Sequence, residues 1–212
     1  MKYQEILAEL TAPYYTRQNL EIILGSNRRT LDYRISKLLS DSILDMVKPG
    51  FYINKILLLQ SSRKEEFLEY VGGVAKYPSY VSLEYALSKY GLIPEGIFAI
   101  TYITTKKTGE YSSKSTTFKY RNIKSELFTG YETREFNNAN YLFAKKFKAL
   151  FDFIYLTPLG NKTAFKQLLF ESRINWENLS QKDKSGFVEL CASCKSKKME
   201  KVASLLTERG LL

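Results

Sequence analysis

The pattern of apolar and polar positions divides the first sixty residues into three short helices and a hairpin. Tyr3, Ile6, Leu7 and Leu10 recur at i, i+3, i+4 and i+7, which predicts an amphipathic helix over Tyr3–Leu10. Thr11-Ala12-Pro13 breaks it. Tyr15-Thr16 is placed to cap a second helix, Arg17–Leu24, which Gly25 ends. Ser26 or Asn27 caps a third, Arg28–Leu39, with Leu31, Ile35, Leu38 and Leu39 turned inward together. Two helices joined by a short turn containing glycine form a helix-turn-helix pattern. Two β-rich runs, Ile43–Val47 and Phe51–Ile53, then flank Lys48-Pro49-Gly50, where proline followed by glycine suits a type II turn. Helices plus hairpin predict a winged helix-turn-helix over residues 1–60.

The pattern changes after Ser61-Ser62-Arg63-Lys64, a polar stretch that marks the expected domain boundary. The run before it, Asn54–Gln60, is apolar and is expected to pack back on the winged helix. Lys64–Val71 has helical spacing and is expected to stop at Gly72-Gly73. Ser79 or Ser82 caps a helix running through Tyr90, with Gly91 just past its end and Pro94 preventing continuation. Ile97–Thr105 and Thr116–Ile123 have strand composition and are expected to pair as a long hairpin around Gly109. Asn140–Phe143 reads as a short strand. Ala144–Leu156, Thr163–Glu171, Lys184–Cys194 and Lys197–Arg209 read as helices, with Trp176 as a packing anchor. The fold class is therefore α+β: a winged helix-turn-helix followed by a mixed α/β domain over 64–212. Its core spans 64–156 and its helical C-terminus 157–212.

Charge adds a partner to this picture. The chain of 212 residues carries a formal net charge of +10, which points to a polyanion. The excess is uneven. Between Tyr102 and Lys124 six Lys/Arg stand against Glu110 alone, a net of +5, whereas residues 1–62 carry a net of +2. There is no histidine, which excludes Ser-His-Asp and Cys-His catalysis and zinc sites that use histidine. Cys191 and Cys194 form a single C-x-x-C at helical spacing and read as small apolar residues on one helix face. Asp152 has no carboxylate partner at a diagnostic spacing and reads as a cap or as the partner of a nearby lysine. No apolar run approaches the ~18 residues of a membrane span. With no signal-like apolar segment near Met1, the expected location is the cytoplasm.

The candidate chemistry is recognition rather than catalysis. On the third helix Arg29, Tyr33, Ser36 and Lys37 lie opposite the apolar face, with Arg28 at the N-terminus and Arg34 on a flank. Long donors near the N-terminal half can reach base edges, while hydroxyls and cations grip phosphates. Lys48 at the hairpin tip is expected to meet a backbone phosphate. Arg28, Arg29, Tyr33, Arg34, Lys37 and Lys48 are the expected DNA-binding residues, on double-stranded DNA carrying an inverted repeat. Lys106, Lys107, Lys119 and Arg121 form a possible second basic surface. No catalytic residue, metal site or cofactor is assigned. Two other readings stand beside this one: a regulator without further partner, and a metal-dependent nuclease using Glu84, Glu95, Asp152 and Lys106/Lys107.

The order of three segments adds a resemblance. YVSLEYALSKYGLIPE, then ITTKKT, then FKYRNIKSELFTGY is similar to the AbiEi family of type IV antitoxins. FAKKFKALFDFIYL is similar to the family's KAL-x-D helix, carried here by Ala144, Lys148, Ala149, Leu150 and Asp152; the proline that often precedes that helix is replaced by Lys146-Phe147. The likeness spans roughly residues 1–156. It implies a bacterial protein of phage defence with an N-terminal winged helix and a C-terminal antitoxin domain. It further implies repression of its own operon and neutralisation of a nucleotidyltransferase-like toxin, directly or indirectly. The DNA role falls on Arg28, Arg29, Tyr33, Arg34, Lys37 and Lys48. The antitoxin role falls on the domain that contains Pro78–Tyr131.

Overall fold

The N-terminal elements form where local chemistry closes them. The computed structural model describes residues 9–25, 27–158 and 174–212. The expected helix Thr163–Glu171, and all but the last two residues of Tyr3–Leu10, lie outside them. Strand β1 (Tyr14–Thr16) runs directly into helix α1 (Arg17–Leu24). Thr16 and Asn19 satisfy each other's backbone amides in a capping box, and Gly25 takes the left-handed conformation that ends the helix. Asn27 caps helix α2 (Arg28–Ser40) by accepting from the Thr30 amide. Leu31, Ile35 and Leu38 of α2 are buried against Leu20 and Leu24 of α1. Strands β2 (Leu44–Lys48) and β3 (Phe51–Asn54) follow as an antiparallel hairpin, and β1 adds to β3 to give the order β1-β3-β2. Asn54 then caps helix α3 (Lys55–Gln60), while its side-chain amide donates to the carbonyls of Leu10 and Ala12.

Helix α4 (Lys64–Ala75) runs through Gly72-Gly73 instead of stopping there. Gly72 serves packing. A Cβ on Gly72 would stand 2.2 Å from the Tyr102 hydroxyl, and the Gly72 carbonyl accepts from the Tyr120 hydroxyl at 2.7 Å. The helix therefore lies close against the sheet that follows.

That sheet holds six strands in the order β6-β7-β5-β4-β9-β8. They are β4 (Ser79–Val81), β5 (Ile100–Thr104), β6 (Gly109–Ser112), β7 (Thr117–Asn122), β8 (Tyr131–Phe136) and β9 (Ala139–Ala144). Three expectations change here. The segment Ser79–Val81 is a central strand, and helix α5 spans only Leu83–Lys89. The two strands expected to form a long hairpin, β5 and β7, run parallel; the hairpin partner of β7 is β6, which supplies the return strand. The third change is β8, whose charged outer positions hide its alternation from the sequence.

Helix α4 covers one face of the sheet, where Tyr102, Phe118, Tyr120 and Tyr141 point. Helix α5 and helix α6 (Lys146–Leu156) cover the other, and helices α7 (Gln181–Ser193) and α8 (Lys197–Glu208) pack on α6. Cys191 on the inner face of α7 and Cys194 just past its end are buried free thiols, and burial pushes the Cys191 thiol up to about 12. Trp176 is partly buried against the same core. The architecture is mixed α+β, and among the described residues no helix is long and apolar enough to cross a membrane.

The two sheets meet directly. Val47, Phe51 and Ile53 belong to the large core that contains α4 and the six-stranded sheet. Asp45 of β2, buried, accepts from the amides of Lys114 and Ser115 and from the Ser115 hydroxyl at 2.6 Å.

Candidate nucleic-acid interface

The outer face of α2 follows from its burial. With Leu31, Ile35 and Leu38 inside, the helical period turns Arg28, Arg29, Asp32, Tyr33, Ser36 and Lys37 to solvent. Tyr33 is 69% exposed, so its ring and hydroxyl are both available to a partner. Asp32 sits on the same face but pairs with Arg17 of α1 at 2.6 Å, and that contact holds the Arg17 guanidinium above its ordinary value. The remaining face combines two arginine forks in the first turn, an aromatic hydroxyl and a lysine. This set can take phosphate oxygens and base edges.

Two of the expected DNA-binding residues are engaged inside the fold. Arg34 is half-buried, and its Nη1 donates to the Leu24 carbonyl at the C-terminus of α1. It ties α1 to α2. Lys48 does not stand free at the hairpin tip. Its Nζ donates to the Ala75 carbonyl at 2.6 Å and lies over the rings of Phe51 and Tyr111, 5.7 and 5.3 Å from their centroids. The reason is the junction between the sheets, which turns the inner edge of the hairpin toward the end of α4.

The expected second basic surface divides in two. Lys119 and Arg121 point to the face of Thr101 and Ile103, their register partners in β5. Lys119 also stands opposite Glu110, and Arg121 Nη2 lies 3.4 Å from the Leu156 carbonyl at the end of α6. Lys106 and Lys107 stand exposed in the connection after β5, where both act electrostatically on Lys76 and Lys106 acts also on Lys48. Lys76 Nζ lies 5.6 Å from the Tyr111 centroid and 5.3 Å from that of Tyr120. Burial lowers Lys48 most, with Lys106 and Lys76 adding to the effect; burial also leads for Lys76, followed by Lys106 and Lys107. Sequence reasoning missed Lys76 and Tyr111, because nothing local links residue 76 to residue 111.

A second constellation is fully internal. Lys148 and Asp152, one turn apart on α6, are both fully buried and pair at 2.6 Å. The other Asp152 oxygen accepts from the Tyr80 hydroxyl at 2.9 Å and from Ser82 at 2.8 Å. Tyr80 packs against Phe128 and Tyr131, and Gly130 lies on the aliphatic stem of Lys148. Burial raises the Asp152 pKa, and Lys148 opposes that rise ahead of the two hydroxyls. The sequence reading that paired Asp152 with a nearby lysine matches this arrangement. Glu84 is half-buried at the start of α5 and Glu95 is exposed, so neither shares the sealed surroundings of Asp152. Among the described residues no group of three or more Cys, Asp and Glu is placed to hold a metal ion.

Comparison with models of known protein families and with curated proteins finds no match to this chain.

Proposed function

We propose that this protein is a DNA-binding repressor whose N-terminal unit is a winged helix, with α2 as the recognition helix and β2–β3 as the wing. The observation that carries the reading is the outer face of α2. Arg28, Arg29, Tyr33 and Lys37 are exposed together while the neighbouring acid, Asp32, is paired with Arg17. Arg34 leaves the set of direct DNA contacts and supports the helix pair, while Lys48 leaves the hairpin tip for the junction. The net charge of +10 favours a polyanionic partner of this kind.

The antitoxin part of the reading rests on the resemblance to the AbiEi family. The segments that carry it fold next to one another: Tyr80 and Ser82 from the first, Phe128, Gly130 and Tyr131 from the third, Lys148 and Asp152 from the last. On this reading the protein represses its own operon as a cytoplasmic regulator and neutralises a nucleotidyltransferase-like toxin, without catalysis of its own.

Two measurements test the pair of claims. A duplex spanning the region upstream of the reading frame is expected to bind more tightly than its scrambled counterpart, and an Arg29→Ala/Lys37→Ala variant is expected to lose that preference. Co-expression with the neighbouring toxin gene is expected to restore growth. Specific DNA binding without rescue would leave a regulator and remove the antitoxin claim. Metal-dependent cleavage of the duplex would replace both with a nuclease.

A further inference from the structure

We propose that Lys48, Lys76, Lys106 and Lys107 form a phosphate-binding seat at the junction of the β2–β3 hairpin with the six-stranded sheet, taking phosphoryl oxyanions from a nucleic-acid backbone or from a free polyphosphate. The four lysines come from three separate segments: β2, the end of α4 and the β5–β6 connection. Tyr111 gathers two of them, with Lys48 Nζ 5.3 Å and Lys76 Nζ 5.6 Å from its ring centroid. Gly109 leaves room for this, since a Cβ there would stand 3.1 Å from Lys76 Nζ.

Aromatic faces meet Lys48 and Lys76, and among the described residues no carboxylate pairs with any of the four. Asp45, the buried carboxylate on the same strand as Lys48, is committed to Lys114 and Ser115. Lys48 uses one donor on the Ala75 carbonyl and keeps two. Burial and mutual repulsion both disfavour the charged forms of Lys48 and Lys76, so a compact multivalent anion would relieve what the fold leaves uncompensated. Lysines act on phosphate as point charges and need no planar match, which suits converging ammonium groups. Because Lys48 belongs to the hairpin and the other three to the sheet side, the bound anion joins the two units.

The test uses the full chain and a Lys76→Ala/Lys106→Ala/Lys107→Ala variant, with Lys48 kept for its bond to Ala75. Lys106→Gln/Lys107→Gln, at exposed positions, serves as a milder second variant. Sodium tripolyphosphate at ten times its Kd, against sodium chloride of equal ionic strength, should raise the wild-type Tm by about 3–6 °C and leave the triple variant unmoved. A duplex of arbitrary sequence forms the other arm, where each lysine removed from a phosphate lowers the salt slope of binding by about 0.9. A response in the first arm identifies free polyphosphate as a ligand, and one in the second identifies backbone phosphate. The proposal is overturned if neither arm separates wild type from the variants, or if only a polyglutamate peptide does. Arg28→Ala/Arg29→Ala should keep the tripolyphosphate shift, so failure of the α2 assignment and failure of the seat read out separately.

Discussion

A methyl group on Gly72 would stand 2.2 Å from the Tyr102 hydroxyl and 2.6 Å from Phe118 Cδ1, and both rings are fully buried. Neither can yield, so Gly72→Ala should destabilise by about 2–3 kcal/mol. Its neighbour makes the contrast, because a Cβ on Gly73 meets only Tyr141 Cβ at 3.9 Å. Gly73→Ala should stabilise α4 by about 0.5–1 kcal/mol. Urea unfolding of the two variants checks both signs, and equal effects would contradict the packing argument. The Lys148–Asp152 pair gives a pH-dependent case. Burial holds the Asp152 pKa above its ordinary value, and Lys148 is the main opposing influence. Lys148→Met removes the main opposition to burial and leaves only the Tyr80 and Ser82 hydroxyls against it. A folded-state carboxyl pKa raised above the unfolded value means that the native form keeps its proton longer. Stability then falls as pH rises from the ordinary carboxyl value toward the raised one. The variant should lose about 3–5 kcal/mol at pH 8 and less at pH 5. A deficit that does not grow with pH would show that Asp152 is not the group left behind. A second change, Asp152→Leu, should remove most of that pH dependence.

At the scale of elements, local signals were enough where each end of an element carries its own chemistry. Thr16, Gly25 and Asn27 bound α1 and α2 as their side chains and backbone freedom require, and the apolar face of α2 is the face that is buried. The parts that failed depend on residues far apart in sequence. Gly72-Gly73 resembles a helix stop until Tyr102 and Phe118 arrive opposite it. The pairing of β5 with β7 depends on β6 folding back first, and strand composition does not encode parallel against antiparallel. The candidate site divides along the same line. The exposure of Arg28, Arg29, Tyr33 and Lys37 follows from helical period, whereas the engagement of Arg34 with Leu24 and of Lys48 with Ala75 needs tertiary contacts. Arg34 therefore supports its element. Arg34→Ala should lower stability by about 1–2 kcal/mol through the lost charged hydrogen bond to the α1 terminus. The salt slope of DNA binding should stay unchanged. A lower slope with unaltered stability would return Arg34 to the DNA contacts.

At the scale of the molecule, the segments with the clearest sequence signature and the surface with the clearest chemistry are different places. The KAL-x-D residues, Tyr80 and Gly130 meet in a buried knot that fixes α6 against β4, so their pattern reports how the sheet and helices are assembled. Exposed cations lie on α2 and half-buried ones at the junction lined by Tyr111, and these carry the proposed contacts. Asp45 and Lys48 tie the hairpin to the sheet, which places α2 on a unit anchored from both sides of Ser61–Arg63. The most direct test is the salt dependence of binding to the upstream duplex, followed by fluorescence anisotropy, for wild type and for Arg28→Ala/Arg29→Ala/Lys37→Ala. The account predicts at least a tenfold weaker complex and a slope of log K against log salt reduced by about 0.9 for each phosphate contact removed. Wild-type affinity with an unchanged slope in the variant would contradict the assignment of α2 as the DNA-reading helix.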